Sequence, residues 1–129
     1  MPDGAPSREQ IDRFLVDQID TVPQLEALLL VWNRRPKKWY CSEIAKALYI
    51  SQELARDVIR HLVQHGLLER AEDGVDSFEL RSGSDEMDRL LAGLDAMYRR
   101  ELVRVSNLIH EKASRAVRDF ASAFRFKKE

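Results

Sequence analysis

Apolar residues recur along most of this chain at spacings of three and four, the period of an α-helix with one buried face. Ile11, Phe14, Leu15 and Ile19 form the first stripe, and Ser7 with Gln10 matches a capping box ahead of it. A helix is therefore predicted from Ser7 to about Ile19, behind a frayed leader over residues 1–6. Thr21 and Gln24 repeat the capping box, and Pro23 falls in the first turn, where its missing N–H costs nothing. Leu25, Leu28, Leu29 and Trp32 make the second stripe, which Asn33-Arg34-Arg35-Pro36 ends. Lys37 through Cys41 is short, aromatic and β-prone. Ser42 then caps a helix of barely two turns, Glu43 to Leu48, and Ser51 caps another that runs through His65. Ala55, Val58, Ile59 and Leu62 share one face of that helix, and Gly66 is a natural left-handed terminator.

Two short runs follow, Leu67 to Arg70 and Val75 to Leu80, joined by Ala71-Glu72-Asp73-Gly74, whose Asp-Gly pair signals a hairpin. Ser84 or Asp85 opens a long helix. Along it Leu91, Leu94, Tyr98, Leu102, Val105 and Ile109 are spaced 3, 4, 4, 3 and 4, a seam like that of a coiled coil. Near Ala113-Ser114 the pattern resets, and Ala116, Val117, Phe120 and Phe124 suggest a final short helix. The expected organisation is a leader over 1–6, a helical domain with a hairpin over 7–82, and a helical segment over 83–129. The fold class is mainly α with a small β-hairpin.

Composition narrows the function more than it names one. With 21 basic and 22 acidic residues, no global field draws the chain to nucleic acid or membrane, so any such binding must come from a local patch. Cys41 is the single cysteine, which excludes an intramolecular disulfide and points to a reducing, cytoplasmic setting. The first residues carry neither part of a signal peptide, and the longest apolar run, Ala27 to Trp32, is far too short to span a bilayer. The glycines are scattered singly, and no nucleophile–base pair or carboxylate pair is legible, so no enzyme and no cofactor are expected. His61 and His65, spaced i,i+4, are half a metal site at most, and no metal is expected.

The stretch Ser42-Glu43-Ile44-Ala45-Lys46-Ala47-Leu48, the helix from Ser51 and the segment Leu62-Val63-Gln64-His65-Gly66-Leu67-Leu68-Glu69-Arg70 together carry a resemblance. Over residues 21–82 the chain resembles the winged helix-turn-helix superfamily, broadly in the manner of bacterial MarR-like regulators. That resemblance implies a winged helix followed by a long C-terminal helix, and a transcriptional regulator of double-stranded DNA. The helix capped by Ser51 would then enter the major groove and show base edges Gln52, Arg56, Arg60 and Gln64. Arg34, Arg35, Lys37 and Lys38 form the best basic cluster and would hold phosphates. Leu91, Leu94, Tyr98, Leu102, Val105 and Ile109 could fold back onto the chain's own winged helix or pair with the same helix of a second copy, and a homodimer is expected, since two half-sites multiply affinity.

Two features depart from a strong DNA binder. Glu53 and Asp57 share the face of Arg56 and Arg60, and the span Glu69–Asp85 holds six acidic residues against two basic, which repels phosphate. A winged-helix adaptor that binds another protein through this acidic hairpin is therefore the alternative, and a ligand-sensing regulator is a third.

Overall fold

The computed structural model describes residues 5–72, 76–81 and 83–127. Helix α1 (Arg8–Gln18) and helix α2 (Val22–Asn33) begin at the two expected capping boxes. Ser7 Oγ accepts from the Gln10 N–H at 3.1 Å, and Gln10 Oε1 accepts from the Ser7 N–H at 2.7 Å. Thr21 and Gln24 exchange the same pair of bonds at 3.3 and 3.2 Å, and Gln24 Oε1 also takes the Asp20 N–H at 2.7 Å. Each box satisfies donors that the first helical turn leaves open.

Strand β1 (Trp39–Tyr40) leads directly into α3 (Cys41–Leu48). The expected strand from Lys37 through Cys41 is thus cut to two residues, and the helix starts ahead of Ser42, because Glu43 Oε1 accepts the Tyr40 N–H at 3.0 Å. Helix α4 (Gln52–Gln64) is capped by Ser51, whose Oγ accepts from the Leu54 N–H at 3.0 Å. Gly66, at φ +71°, turns the chain out of α4, and the Leu67 N–H closes on the Leu62 carbonyl at 2.9 Å. A side chain there would sit in a left-handed conformation that disfavours a Cβ.

Strands β2 (Leu68–Arg70) and β3 (Ser77–Leu80) pair antiparallel, and β1 adds to the far side of β3, giving the order β1-β3-β2. Trp39 lies opposite Phe78, and Leu68 opposite Leu80. The expected Asp73-Gly74 turn and Val75 lie outside the described residues, as do residues 1–4.

The C-terminal half differs from the expected single long helix. It forms α5 (Asp85–Arg100) and α6 (Leu102–Lys127), broken at Glu101, where φ is −129° and ψ is 48°. The expected reset at Ala113-Ser114 does not occur, and α6 continues through it. A serine costs an exposed helix only a few tenths of a kcal/mol, too little to stop one that is already propagating. The break has a different cause. Glu101 accepts both terminal nitrogens of Arg8 at 3.1 and 2.6 Å and Arg104 Nε at 2.9 Å, while Arg104 reaches Asp12 at 3.2 Å. These contacts tie the corner to α1.

The helices then fold onto one another around one core. It contains Phe14 and Leu15 of α1, Leu25 and Leu28 of α2, Ile59 and Leu62 of α4, Leu91, Leu94 and Met97 of α5, and Val105 and Ile109 of α6. Gly93 lets the start of the chain lie against α5, since a Cβ there would come within 2.6 Å of Pro6 Cγ. Leu94 is 0% exposed. Leu94→Ala should therefore lower unfolding stability by about 2–5 kcal/mol. Denaturant melts should show that loss to be the same at every protein concentration, because the cavity opens inside one chain.

Candidate nucleic-acid interface

Helix α4 buries Ala55, Val58, Ile59 and Leu62 and leaves Gln52, Glu53, Arg56, Asp57, Arg60 and Gln64 exposed. This is the division that its apolar period dictates. Arg60 pairs with Asp57 at 3.2 Å, whereas among the described residues Arg56 has no ion-pair partner. Beside these two, a groove of about 360 Å³ separates α4 from the sheet, with Arg70 on its opposite wall and Ile59, Val63 and Phe78 among its lining residues. Arg70 is salt-bridged to Asp76 and lies 5.6 Å from the Phe78 ring centre. Three guanidinium groups thus line one groove, with Asp57 and Asp76 each countering one of them.

The basic cluster ahead of β1 is arranged otherwise. Arg35 reaches Asp88 of α5 at 2.7 Å and stacks 4.8 Å from the Trp32 ring centre, while Trp32 Nε1 donates to the same carboxylate at 3.0 Å. Those contacts, the Trp32 bond first, hold the Asp88 carboxyl below its ordinary pKa. Lys37 pairs with Glu43 at 3.2 Å and lies 4.8 Å from the Trp39 ring centre. The Glu43 carboxyl is lowered too, by the Tyr40 N–H and then by Lys37. Lys38 also has an interaction within the chain. Arg34 is exposed and without an ion-pair partner among the described residues. Charges that looked free in sequence are therefore partly spent on contacts inside the fold.

Other exposed groups join the α4 face without having been picked out from the sequence. Lys46, in the last turn of α3, and Tyr49, which closes that helix, both face solvent. No motif marks them; only the placement of α3 beside α4 does. Arg70 was legible as a wing residue but not as a neighbour of Arg56 and Arg60.

The remaining candidates fall as follows. His61 and His65 stack with ring centres 4.1 Å apart. His61 Nε2 lies 2.7 Å from the Gln18 carbonyl and His65 Nδ1 lies 2.8 Å from Gln18 Oε1, so both rings tie α4 to the end of α1. Among the described residues no group of three or more His, Cys, Asp or Glu is placed to hold a metal. Cys41 opens α3 half-buried, its Sγ 3.6 Å from the Gln52 carbonyl. Of the expected dimer seam, Leu91, Leu94, Val105 and Ile109 are buried in the chain's own core, Tyr98 is half-buried and Leu102 is 52% exposed. Among the described residues no helix is long and apolar enough to cross a membrane.

A model of the MarR family matches residues 21–77. The adhesin competence repressor AdcR of Streptococcus pyogenes is 26% identical, with a TM-score of 0.51 over 86% of this chain and 82% of its own. A Staphylococcus aureus MepR mutant, solved bound to an oligodeoxyribonucleotide, is 18% identical, with a TM-score of 0.53 over 91% and 88%. The multiple antibiotic-resistance repressor of Listeria monocytogenes 4b F2365 is 16% identical, with a TM-score of 0.51 over 92% and 82%. Comparison with curated proteins gives no match. The fold is that of the MarR-type winged-helix regulators.

Tyr98 gives a check on how this half packs. Its hydroxyl donates to Glu26 Oε2 at 3.3 Å, and burial first, then the Glu26 charge, pushes its pKa up to about 12. A raised value favours the protonated phenol in the fold. The stabilisation is whole below about pH 10, the ordinary phenol value, and is lost as pH rises through the folded one. Tyr98→Phe should remove a phenolate step near 12 from the ultraviolet titration of the folded protein. A missing step near 10 instead would show that Tyr98 is not held against Glu26.

Proposed function

We propose that this chain, whose residues 21–77 match the MarR family, is a transcriptional regulator that binds double-stranded DNA as a homodimer and acts without catalysis. The observation that supports it best is the exposed polar face of α4. That helix lies with its capped N-terminus free and with Arg56, Arg60 and Arg70 along one groove. In helix-turn-helix docking the second helix enters the major groove and its early residues reach base edges. Gln52 can pair with adenine there, and Arg56, whose guanidinium has no carboxylate partner among the described residues, can fork onto guanine. Arg60 and Arg70 reach phosphate once their carboxylates yield. The mutant MepR solved with an oligodeoxyribonucleotide shares this fold, which adds weight to the same reading. Arg34 remains available for phosphate, with Arg35, Lys37 and Lys38 in a secondary role.

The homodimer is assigned to what α6 leaves uncovered. Val103 is 70% exposed, Val117 67% and Phe120 72%, and Leu102 of the expected seam stands with them. Such residues along an otherwise solvated helix fit an interface with a second copy. The segment from residue 83 onward therefore serves two roles, completing the core through its buried residues and pairing through its exposed ones.

Binding to genomic fragments across a salt series tests the regulator. A dimer contacting on the order of six phosphates should show a log–log slope of about −5, and Arg56→Ala with Arg60→Ala should weaken binding at least about tenfold. No binding at about 50 mM salt, where the electrostatic contribution is large, would sink this reading and leave the acidic wing as a protein-binding surface.

Light scattering tests the assembly. Micromolar protein should give twice the chain mass of 15.0 kDa, and Val117→Asp with Phe120→Asp should halve it without lowering secondary structure. A wild-type mass of 15.0 kDa throughout rejects the dimer.

A further inference from the structure

Tyr49 is the one residue other than glycine with positive φ among those described, at φ 58° and ψ 44°. It closes α3: its own N–H reaches the Lys46 carbonyl at 3.4 Å, and the Ile50 N–H reaches the Ala45 carbonyl at 3.0 Å. This closure is ordinarily made by glycine or asparagine, because a Cβ crowds the backbone in the left-handed conformation. The tyrosine side chain gives little packing in return, being 95% exposed. A large aromatic residue is thus held in a strained backbone with its ring in solvent. Strain of this kind, with no structural return, is a mark of a contact made with a partner.

The surroundings say which contact. Tyr49 stands in the turn between α3 and α4, three residues after Lys46 and three before Gln52, both exposed. Lys46 has no ion-pair partner among the described residues, and an open groove of about 520 Å³ runs past Ser42, Glu43, Lys46 and Gln52, with the Glu43 carboxylate countered by Lys37 at 3.2 Å. When α4 lies in a major groove, the helix before it crosses the sugar–phosphate backbone. Tyrosine hydroxyls are among the groups that bond phosphate oxygens there. The geometry points to Tyr49 as a backbone contact of the DNA interface, its phenol O–H donating to a phosphate oxygen beside the Lys46 ammonium. This inference rests on the DNA-binding reading above and adds to it a seat for one phosphodiester ahead of the recognition helix.

Three variants of the full chain test it by anisotropy on a DNA duplex across a salt series, with thermal melts alongside. Tyr49→Gly relieves the strain, so its melting temperature should be unchanged or higher while its affinity falls about 3–10-fold per protomer, the worth of one hydrogen bond each. Tyr49→Phe should weaken binding of every sequence by a similar factor and leave the salt slope unchanged, since a neutral donor releases no counterion. Lys46→Ala should reduce the slope by about 0.9 per protomer. Tyr49 variants that bind as the wild type does, or a Tyr49→Gly melting temperature well below wild type, would overturn the contact and leave the DNA-binding reading standing. A wild type that does not bind DNA overturns both.

Discussion

The corner at Glu101 is the constraint on which the C-terminal half depends. Without it, α5 and α6 would form one rod, and the apolar residues of that rod could not all face one core. With it, Glu101 ends α5 by donating its N–H to the Met97 carbonyl at 2.7 Å and opens α6 by accepting the Val105 N–H at 2.9 Å. Its carboxylate then sits at the N-terminal end of α6, where negative charge complements the helix dipole. The Arg8 bonds first and the Arg104 bonds next hold that carboxyl below its ordinary pKa, so it stays charged in the role. Arg104 carries the link on to Asp12, and α1 is thereby clasped at the turn.

The same returning helix is linked to the end of α4 through the end of α1. Lys112 of α6 donates to the Ile19 carbonyl at 3.0 Å and to Asp20 Oδ1 at 2.8 Å. Asp20 lies 3.8 Å from His61 Nδ1, and Gln18 beside it engages both histidines of α4. Lys112 foremost lowers the Asp20 carboxyl's pKa, keeping it ionised between the lysine and the imidazoles. The polar link from α6 through the end of α1 to the end of α4 is continuous. Under the proposed reading, a partner seated on α6 would act on the same link that holds the end of α4.

Most of the winged helix was legible because its signals are local. The capping residues Ser7, Thr21 and Ser51, the left-handed Gly66 and the 3.6-residue stripes each act within a turn or two of chain. The corner at Glu101 was not legible, since it depends on Arg8 and Asp12, some ninety residues away in sequence. The spacing of Leu91, Leu94, Tyr98, Leu102, Val105 and Ile109 suits a straight seam against a partner as well as two shorter helices on a common core. Only the long-range contact separates the two. The charge pattern misled for a related reason: Arg35 and Lys37 sit in a basic run along the chain, but in space they face Asp88 and Glu43. Tyr49 carried no signal, because its oddity lies in a backbone angle rather than in its neighbours.

The candidate interface is therefore mixed in charge, and this has a physical consequence of its own. Asp57 beside Arg60 and Asp76 beside Arg70 lower the net attraction of the face for a phosphate backbone of any sequence. Non-specific binding is almost wholly electrostatic, so it suffers most from such neighbours. Contacts to base edges suffer less, because a guanidinium that forks onto guanine gains from direction as well as charge. On the proposed DNA-binding reading, a chain of net charge −1 with arginines partly countered on this face would bind poorly to DNA of arbitrary sequence. On the same reading it would discriminate better than it coats, since a loss of general affinity raises the ratio between a matched site and the rest of a genome.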